Sequence, residues 1–203
     1  MNKVFKRLAT GITTLMLCVS CIAPTSLAAS NEDRTPVSPV IQIEYNEYLS
    51  SKLYYTNLAK EGYTLVIHVG EENDQAELER ISSESQSPAD VLQPNLTREL
   101  NIPFYRYNVM QYGKKTISGS CDDTLGYLFT NYNYYGCPSY EVSLYNRGDE
   151  TLKVDLVPED EYTPFISYKI PSESTVIKYV TEPAWYGRFK NPCSVFGYVT
   201  RDL

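Results

Sequence analysis

Histidine is almost absent from this sequence, which holds one, His68, in 203 residues. A Ser-His-Asp or Cys-His mechanism needs an imidazole beside a nucleophile and an orienting group. His68 instead lies within the apolar, β-branched run 63–69, so we expect it to be structural. A single histidine also excludes a histidine-rich zinc site, and glycine-rich phosphate loops are missing. We therefore predict no catalytic residue, no metal and no cofactor, with enzyme activity kept as an alternative.

Positive charge is also scarce. The chain has 18 Lys and Arg residues against 25 Asp and Glu residues, which gives a net charge of -7 and a pI near 4.8. A nucleic-acid binder carries the opposite excess, so we exclude nucleic acid as a partner. The acidic runs lack the alternating spacing of a calcium-binding loop and are typical of solvated turns.

Long hydrophobic runs are missing apart from residues 8–23, and that run is shorter than the roughly 20 residues of a membrane helix. Three basic residues within 3–7 precede the run, and small residues follow it at 26–29. This is the layout of a secretion signal over 1–29. The sequence therefore predicts a secreted, extracellular protein of bacterial type with no membrane span.

Cys21 offers an alternative, because lipoproteins are cleaved before a cysteine that then carries the lipid anchor. Such sites normally have Leu, Val or Ile where Cys18 stands in this sequence. Ordinary cleavage near Ala28 or Ala29 is therefore our main interpretation, with lipid tethering at Cys21 as the alternative.

Cysteine is rare in the rest of the chain. Removing the signal leaves Cys121, Cys137 and Cys193, and export places them in an oxidising compartment, where one pair can close. We predict a Cys121–Cys137 disulfide, because these two residues bracket one compact segment. A loop of about 15 residues is worth roughly 3 kcal/mol in chain entropy. The alternatives are a bond to Cys193 or three buried thiols.

Composition divides the chain into three parts. Residues 1–29 are the signal, and residues 30–62 are a polar leader followed by a helix. Residues 63–203 are a β-sandwich domain with a polar excursion at about 70–101. The first helix is expected over 46–60, with Leu49, Leu53 and Leu58 on one face. A second, short helix is expected over 74–81, within the polar excursion.

Alternating apolar and polar residues predict strands over most of the domain. Glycine, proline, asparagine and aspartate separate the runs. Beyond a short strand at 40–43, the predicted strands are 63–69, 104–112, 125–131, 140–145, 152–157, 165–170, 175–180 and 194–200. The fold class is therefore mostly β, an antiparallel β-sandwich or jelly-roll-like fold with a short helical N-terminal extension.

Tyrosine is abundant, with 19 residues, and it is concentrated around 126–140. Exposed tyrosines beside amides suit stacking on sugar rings or anchoring in a protein interface. The candidate ligand-binding residues are Tyr132, Tyr134, Tyr135, Asn131 and Asn133. The alternative is that these tyrosines cover a sandwich edge.

These observations favour a secreted, non-enzymatic binding module that recognises an extracellular glycan or protein through exposed tyrosines. A hydrolase of cell-envelope or matrix polymers, with carboxylates or Cys193 and His68 at its active site, is one alternative. A lipid-tethered structural surface protein is the other.

Overall fold

β-branched and aromatic residues at alternate positions place most of this chain in strands. The computed structural model describes residues 38–84, 103–122, 126–190 and 192–202. The predicted signal over 1–29 lies outside the described residues, as do the first part of the leader and much of the polar excursion. No helix within the described ranges is long and apolar enough to cross a bilayer.

The described residues form twelve strands and four α-helices. The strands are β1 Val40–Glu44, β2 Thr64–His68, β3 Tyr105–Asn108, β4 Lys115–Cys121, β5 Tyr127–Phe129, β6 Tyr132–Tyr135, β7 Tyr140–Asn146, β8 Leu152–Pro158, β9 Ile166–Ile170, β10 Ser174–Val180, β11 Ala184–Lys190 and β12 Cys193–Arg201. The helices are α1 Tyr45–Ser50, α2 Lys52–Lys60, α3 Asp74–Glu84 and α4 Val109–Tyr112, with a 3₁₀ turn at Glu71–Asn73.

The strands build two sheets that pack face to face, which confirms the predicted β-sandwich. The first sheet has the order β1-β2-β10-β7-β12-β4, and the second has the order β3-β6-β11-β8-β9. β5 pairs with β11 on the same side as β6. Each sheet is mixed rather than purely antiparallel, because β1 pairs with β2 and β3 pairs with β6 in parallel. The helices α1 and α2 supply the long crossover that a parallel β1–β2 pair requires.

The main core lies between the two sheets. Alternate residues of β7, such as Val142 and Leu144, meet alternate residues of β8, such as Val154 and Leu156. A second core lies on the opposite face of the first sheet, where Ile67 and its neighbours pack with residues of α1, α2 and α3. The described residues therefore form three layers, with helices on one sheet and no helix on the outer face of the other.

The first helix differs from the prediction. A turn at Ser51 splits the expected 46–60 helix into α1 and α2. This break changes the helical phase, so Leu49 and Leu53 are 47% and 77% exposed, while Tyr45 and Tyr48 are buried. The expected leucine face is therefore wrong.

The strand predicted over 104–112 is correct only in its first half. β3 ends at Asn108, and the chain then forms the helix α4. The Asn108 side chain accepts a hydrogen bond from the backbone N–H of Gln111 at 2.9 Å. Such an N-cap stabilises a helical turn over extended backbone. Three strands, β4, β6 and β11, had no counterpart in the sequence prediction.

The second predicted helix is confirmed and extends to Glu84 as α3. Its Glu77 side chain is 1% exposed and accepts hydrogen bonds from Arg80 at 2.6 and 2.7 Å. The Thr175 hydroxyl of β10 donates to the same carboxylate at 2.6 Å. This shared carboxylate fixes α3 to the first sheet.

Candidate ligand-binding face

Strand alternation separates the predicted binding residues onto two faces of the second sheet. Tyr134 projects inward and is 2% exposed, with its ring 5.0 Å from that of Trp185. Asn133 is 4% exposed, and its amide donates to the Pro103 carbonyl at 2.6 Å. The expectation of exposed Tyr134 and Asn133 is therefore corrected, because Tyr134 fills the core and Asn133 ties β6 to the segment before β3.

Tyr135 projects from the outer face and is half-buried. The Arg106 guanidinium lies 4.4 Å from the centre of its ring, and Arg106 also pairs with Glu159 at 2.8 Å. Tyr132 projects to the inner side, where its ring lies 5.6 Å from that of Tyr107. Asn131 is half-buried in the turn before β6. Of the five predicted residues, Tyr135 is thus the one whose aromatic ring lies on the outer face.

The predicted Cys121–Cys137 bond is absent, and Cys121, Cys137 and Cys193 are all thiols in this structure. Cys121 ends β4 in the first sheet, whereas Cys137 follows β6 in the second. The chain between them forms β5 and β6 of the second sheet instead of the compact loop that the spacing suggested. Register places a different cysteine, Cys193, directly opposite Cys121.

The structure keeps His68 and Cys193 apart. His68 ends β2, and two strands, β10 and β7, lie between β2 and β12. Three strand spacings of about 4.8 Å separate them by about 14 Å. Burial raises the pKa of Cys193 to about 11, so its thiolate is scarce at neutral pH. Within the described ranges, no three His, Cys, Asp or Glu side chains converge to hold a metal.

The outer face of the second sheet carries residues that the sequence prediction missed. Inward residues of β8 and β11 belong to the core, so the residues between them project outward. Register arranges the outward residues in rows across the strands. One row contains Lys190 of β11 beside Tyr127 of β5, and Lys153 of β8 beside Lys169 of β9. Extending the β8–β11 register by one residue places Lys190 beside Lys153, so three lysines lie on adjacent strands.

The next row of outward residues lies at the centre of this face and contains an ion pair. Arg188 lies directly opposite Asp155, and its Nε donates to the carboxylate at 2.9 Å. Ser167 of β9 donates to the same carboxylate at 2.6 Å. Phe129 of β5 lies on the other side of Arg188. The Arg188 guanidinium also lies 5.1 Å from the centre of the Tyr127 ring.

An aromatic run borders these charges. The Tyr127 and Phe129 rings lie 6.4 Å apart, and Phe129 lies 6.2 Å from Tyr186. Tyr186 is buried, and its hydroxyl donates to the Glu161 carbonyl of the β8–β9 loop at 3.1 Å. Tyr127 and Phe129 remain half-exposed. We call Tyr127, Phe129 and the row of three lysines the lysine–aromatic face.

The charge of the outer face is opposite to that of the chain. The residues that project outward from its strands include one carboxylate, Asp155, and five cations. The cations are Arg106, Lys153, Lys169, Arg188 and Lys190. Lys153 lies directly opposite Lys169, and its ammonium group lies 3.8 Å from the Asp155 carboxylate.

The sequence predicts part of this face. The alternation of residues in β8 correctly places Lys153 and Asp155 on its polar side. β11 was not predicted, and without it neither Arg188 nor Lys190 had a cross-strand neighbour. No protein-family model, curated protein or solved structure matches this chain.

Proposed function

We propose that this chain is a secreted, non-enzymatic binding module that holds an acidic extracellular glycan on the lysine–aromatic face. The observation that carries this proposal is the row in which Tyr127 lies opposite Lys190 and Lys153 lies opposite Lys169. It combines aromatic rings with a cluster of cations on one sheet surface.

The two kinds of side chain recognise different parts of such a ligand. The apolar faces of sugar rings pack on Tyr127 and Phe129, which retain exposed ring surface. The ammonium groups of Lys169 and Lys190 are exposed and attract the carboxylates or sulfates of an acidic sugar. Because the whole chain has a net charge of -7, its other surfaces repel the same ligand and steer it to this face.

The supporting contacts hold the face in place before a ligand arrives. Asp155 is 1% exposed and is held by Arg188 and Ser167, which lie on the two neighbouring strands. The Arg188 side chain also donates to the Tyr162 carbonyl at 3.1 Å. Side chains that are already ordered lose less conformational entropy on binding.

Tyr135 and Arg106 extend the same surface toward the sheet edge. This extension keeps one of the tyrosines that the sequence singled out within the proposed site. Secretion rests on the signal layout over 1–29, which places the module where extracellular glycans occur.

The test measures binding of the purified protein to a panel of acidic polysaccharides, namely polygalacturonate, alginate and hyaluronate, with dextran as the neutral comparison. We expect binding to at least one acidic member and none to dextran. Tyr127→Ala weakens that binding by about tenfold through lost ring packing. Lys169→Ala with Lys190→Ala weakens it by about fivefold at low salt and by less at high salt.

Matched controls come from α2 in the helical layer. Tyr54 is 60% exposed and Lys52 is exposed, so Tyr54→Ala and Lys52→Ala remove the same types of side chain from another surface. Both are expected to bind like the wild type. Failure to bind any acidic polysaccharide, or equal losses in the control variants, would overturn the proposal.

A protein ligand is the second candidate, and a different surface favours it. Among the described strands, β3 lies at the edge of the second sheet; Phe104, just before it, and Tyr105, its first residue, are 94% and 71% exposed. Exposed aromatic residues beside the open backbone of an edge strand are typical of sites where a partner protein adds a strand. Phe104→Ala with Tyr105→Ala would abolish such a protein complex and leave glycan binding intact, which separates the two candidates.

A further inference from the structure

Two cysteines face each other across the edge of the first sheet. Cys121 is the last residue of β4, Cys193 is the first residue of β12, and the two are direct partners in the antiparallel register. Directly opposite residues in such a pair have Cα atoms about 4.5 or 5.5 Å apart. Both spacings fall within the range of about 4.4–6.8 Å that a disulfide needs.

The side chains also point the same way. Directly opposite residues of an antiparallel pair project from one face of the sheet, and both cysteines belong to the core between the sheets. The pKa of Cys193 reflects the interaction of the two thiols. Burial is the largest cause of its rise, and the nearby Cys121 thiol is the next largest. The backbone N–H of Cys121 also donates toward the Cys193 sulfur, which opposes part of that rise.

We propose that Cys121 and Cys193 are a modification site that closes as a cross-strand disulfide when the protein meets a disulfide oxidant. The oxidant is a small-molecule disulfide or an oxidised thiol–disulfide oxidoreductase. A thiolate of one cysteine attacks the oxidant, which releases one thiol and leaves a mixed disulfide. The second cysteine then attacks that mixed disulfide and releases the second thiol. The two protein thiols lose two electrons and two protons, and the oxidant gains both.

Burial of the two sulfur atoms determines how fast the disulfide forms and how easily it is reduced. Cys121 and Cys193 are 8% and 7% exposed, so an oxidant has little access to either sulfur and the reaction in the folded protein is slow. The bond therefore forms most readily during folding, when both thiols are accessible. Once closed, the same burial protects it from reduction, as in structural rather than catalytic disulfides.

The bond would fasten the end of the sandwich that carries the proposed binding face. Cys121 precedes β5 and Cys193 follows β11, so both lie next to connections between the sheets. The residues at the other ends of those connections, Tyr127 and Lys190, are themselves direct partners. The disulfide is independent of the proposed function, since it rests on the β4–β12 register alone.

The test is to refold the purified mature chain, without residues 1–29, in a buffer of reduced and oxidised glutathione and to map its peptides without reduction. We expect one linked peptide that joins Cys121 to Cys193, lighter by two hydrogen atoms than its reduced parts, with Cys137 open to alkylation. Cys137→Ser is the matched control and forms the same bond. A bond that includes Cys137, or three thiols after refolding, would overturn the proposal.

A stability measurement gives a second readout. Closing a loop of this length raises Tm by roughly 10 °C over the reduced protein. The double variant Cys121→Ser, Cys193→Ser is expected to melt at the temperature of the reduced wild type, with or without oxidant. A wild-type Tm that does not change on oxidation, although the bond maps to Cys121 and Cys193, would contradict the stabilising role.

Discussion

Arg188 and Asp155 lie directly opposite each other on β11 and β8, and their side chains meet at 2.9 Å over a carboxylate that is 1% exposed. Ser167 satisfies the second carboxylate oxygen at 2.6 Å. An ionised group at this depth is tolerated because both its oxygens have partners. The pair therefore joins three strands at the centre of the outer face.

Removing the Arg188 side chain should show how far the stability of the fold depends on this ion pair. Arg188→Ala leaves the buried Asp155 carboxylate without its cation, and we expect a loss of about 3 kcal/mol in the free energy of unfolding. Urea denaturation measures the loss. Lys190→Ala, which removes an exposed cation from the same strand, is expected to change stability by less than about 0.5 kcal/mol. Similar small losses in both variants would show that the buried pair contributes little.

Substitution of the two adjacent tyrosines of β6 by alanine should lower the free energy of unfolding by very different amounts. Tyr134→Ala empties core volume beside Trp185 and is expected to cost about 3–5 kcal/mol. Tyr135→Ala removes a half-exposed ring on the other face and should cost about 1 kcal/mol. Thermal and urea unfolding of the two variants would measure the difference. Equal costs would contradict the predicted difference, and a larger cost for Tyr135→Ala would mean that the β6 faces are assigned the wrong way round.

Gly197 allows β12 to approach β7 closely. A Cβ at this position would lie 2.1 Å from the Ser143 carbonyl oxygen and 2.9 Å from the Leu144 Cα. Because both atoms are backbone, they cannot rotate away, and we expect Gly197→Ala to cost at least about 3 kcal/mol. At Gly148 the nearest atom is a side-chain oxygen of Asn146 at 3.3 Å, so Gly148→Ala is the milder control. Denaturation midpoints compare the two, and a stable Gly197→Ala protein would contradict the predicted clash.

Alkaline pH should weaken the fold through Tyr179, which shares a carboxylate with Tyr198. Tyr179 and Tyr198 donate to Glu141 at 2.7 and 2.6 Å. Burial, followed by the Glu141 charge, raises the pKa of Tyr179 above its ordinary value of 10.0. A raised pKa means that the unfolded chain releases this proton first. The resulting stability is therefore present below about pH 10 and is lost as pH rises above it.

The variant Tyr179→Phe should reduce this pH dependence. One proton contributes about 1.4 kcal/mol per pH unit to the slope of unfolding free energy. Urea denaturation between pH 8 and about pH 11 would detect the flatter slope. Tyr54→Phe, on the exposed surface of α2, serves as the control and should leave the slope unchanged. An unchanged slope in Tyr179→Phe would contradict the role of this hydroxyl.

Local sequence patterns predict the strands in which apolar and polar residues alternate. They do not predict the elements whose structure depends on a side-chain hydrogen bond or on pairing with a strand far away in the sequence. β7 and β8 alternate clearly, and both were predicted within a residue or two. β6, with the sequence Tyr-Asn-Tyr-Tyr, resembles a turn until β3 and β11 pair with it from opposite sides. Long-range pairing of this kind leaves little trace in a short window of sequence.

The candidate site was harder to predict than the fold for the same reason. A tyrosine count cannot tell which rings point into the core, because a one-residue change of register exchanges the two faces of a strand. The lysine–aromatic face depends on neighbours such as Tyr127 and Lys190, which are far apart in the chain and adjacent in the sheet. The disulfide prediction failed likewise, since nearness in sequence favoured Cys137 and sheet register favours Cys193.

The position of β12 has a consequence for how the chain is made. β12 lies between β7 and β4 in the first sheet, although it is synthesised after both. A growing chain therefore carries two unsatisfied strand edges until residues 193–201 emerge, and the first sheet cannot close before then. Until then the open edges of β7 and β4 can pair with the wrong strand.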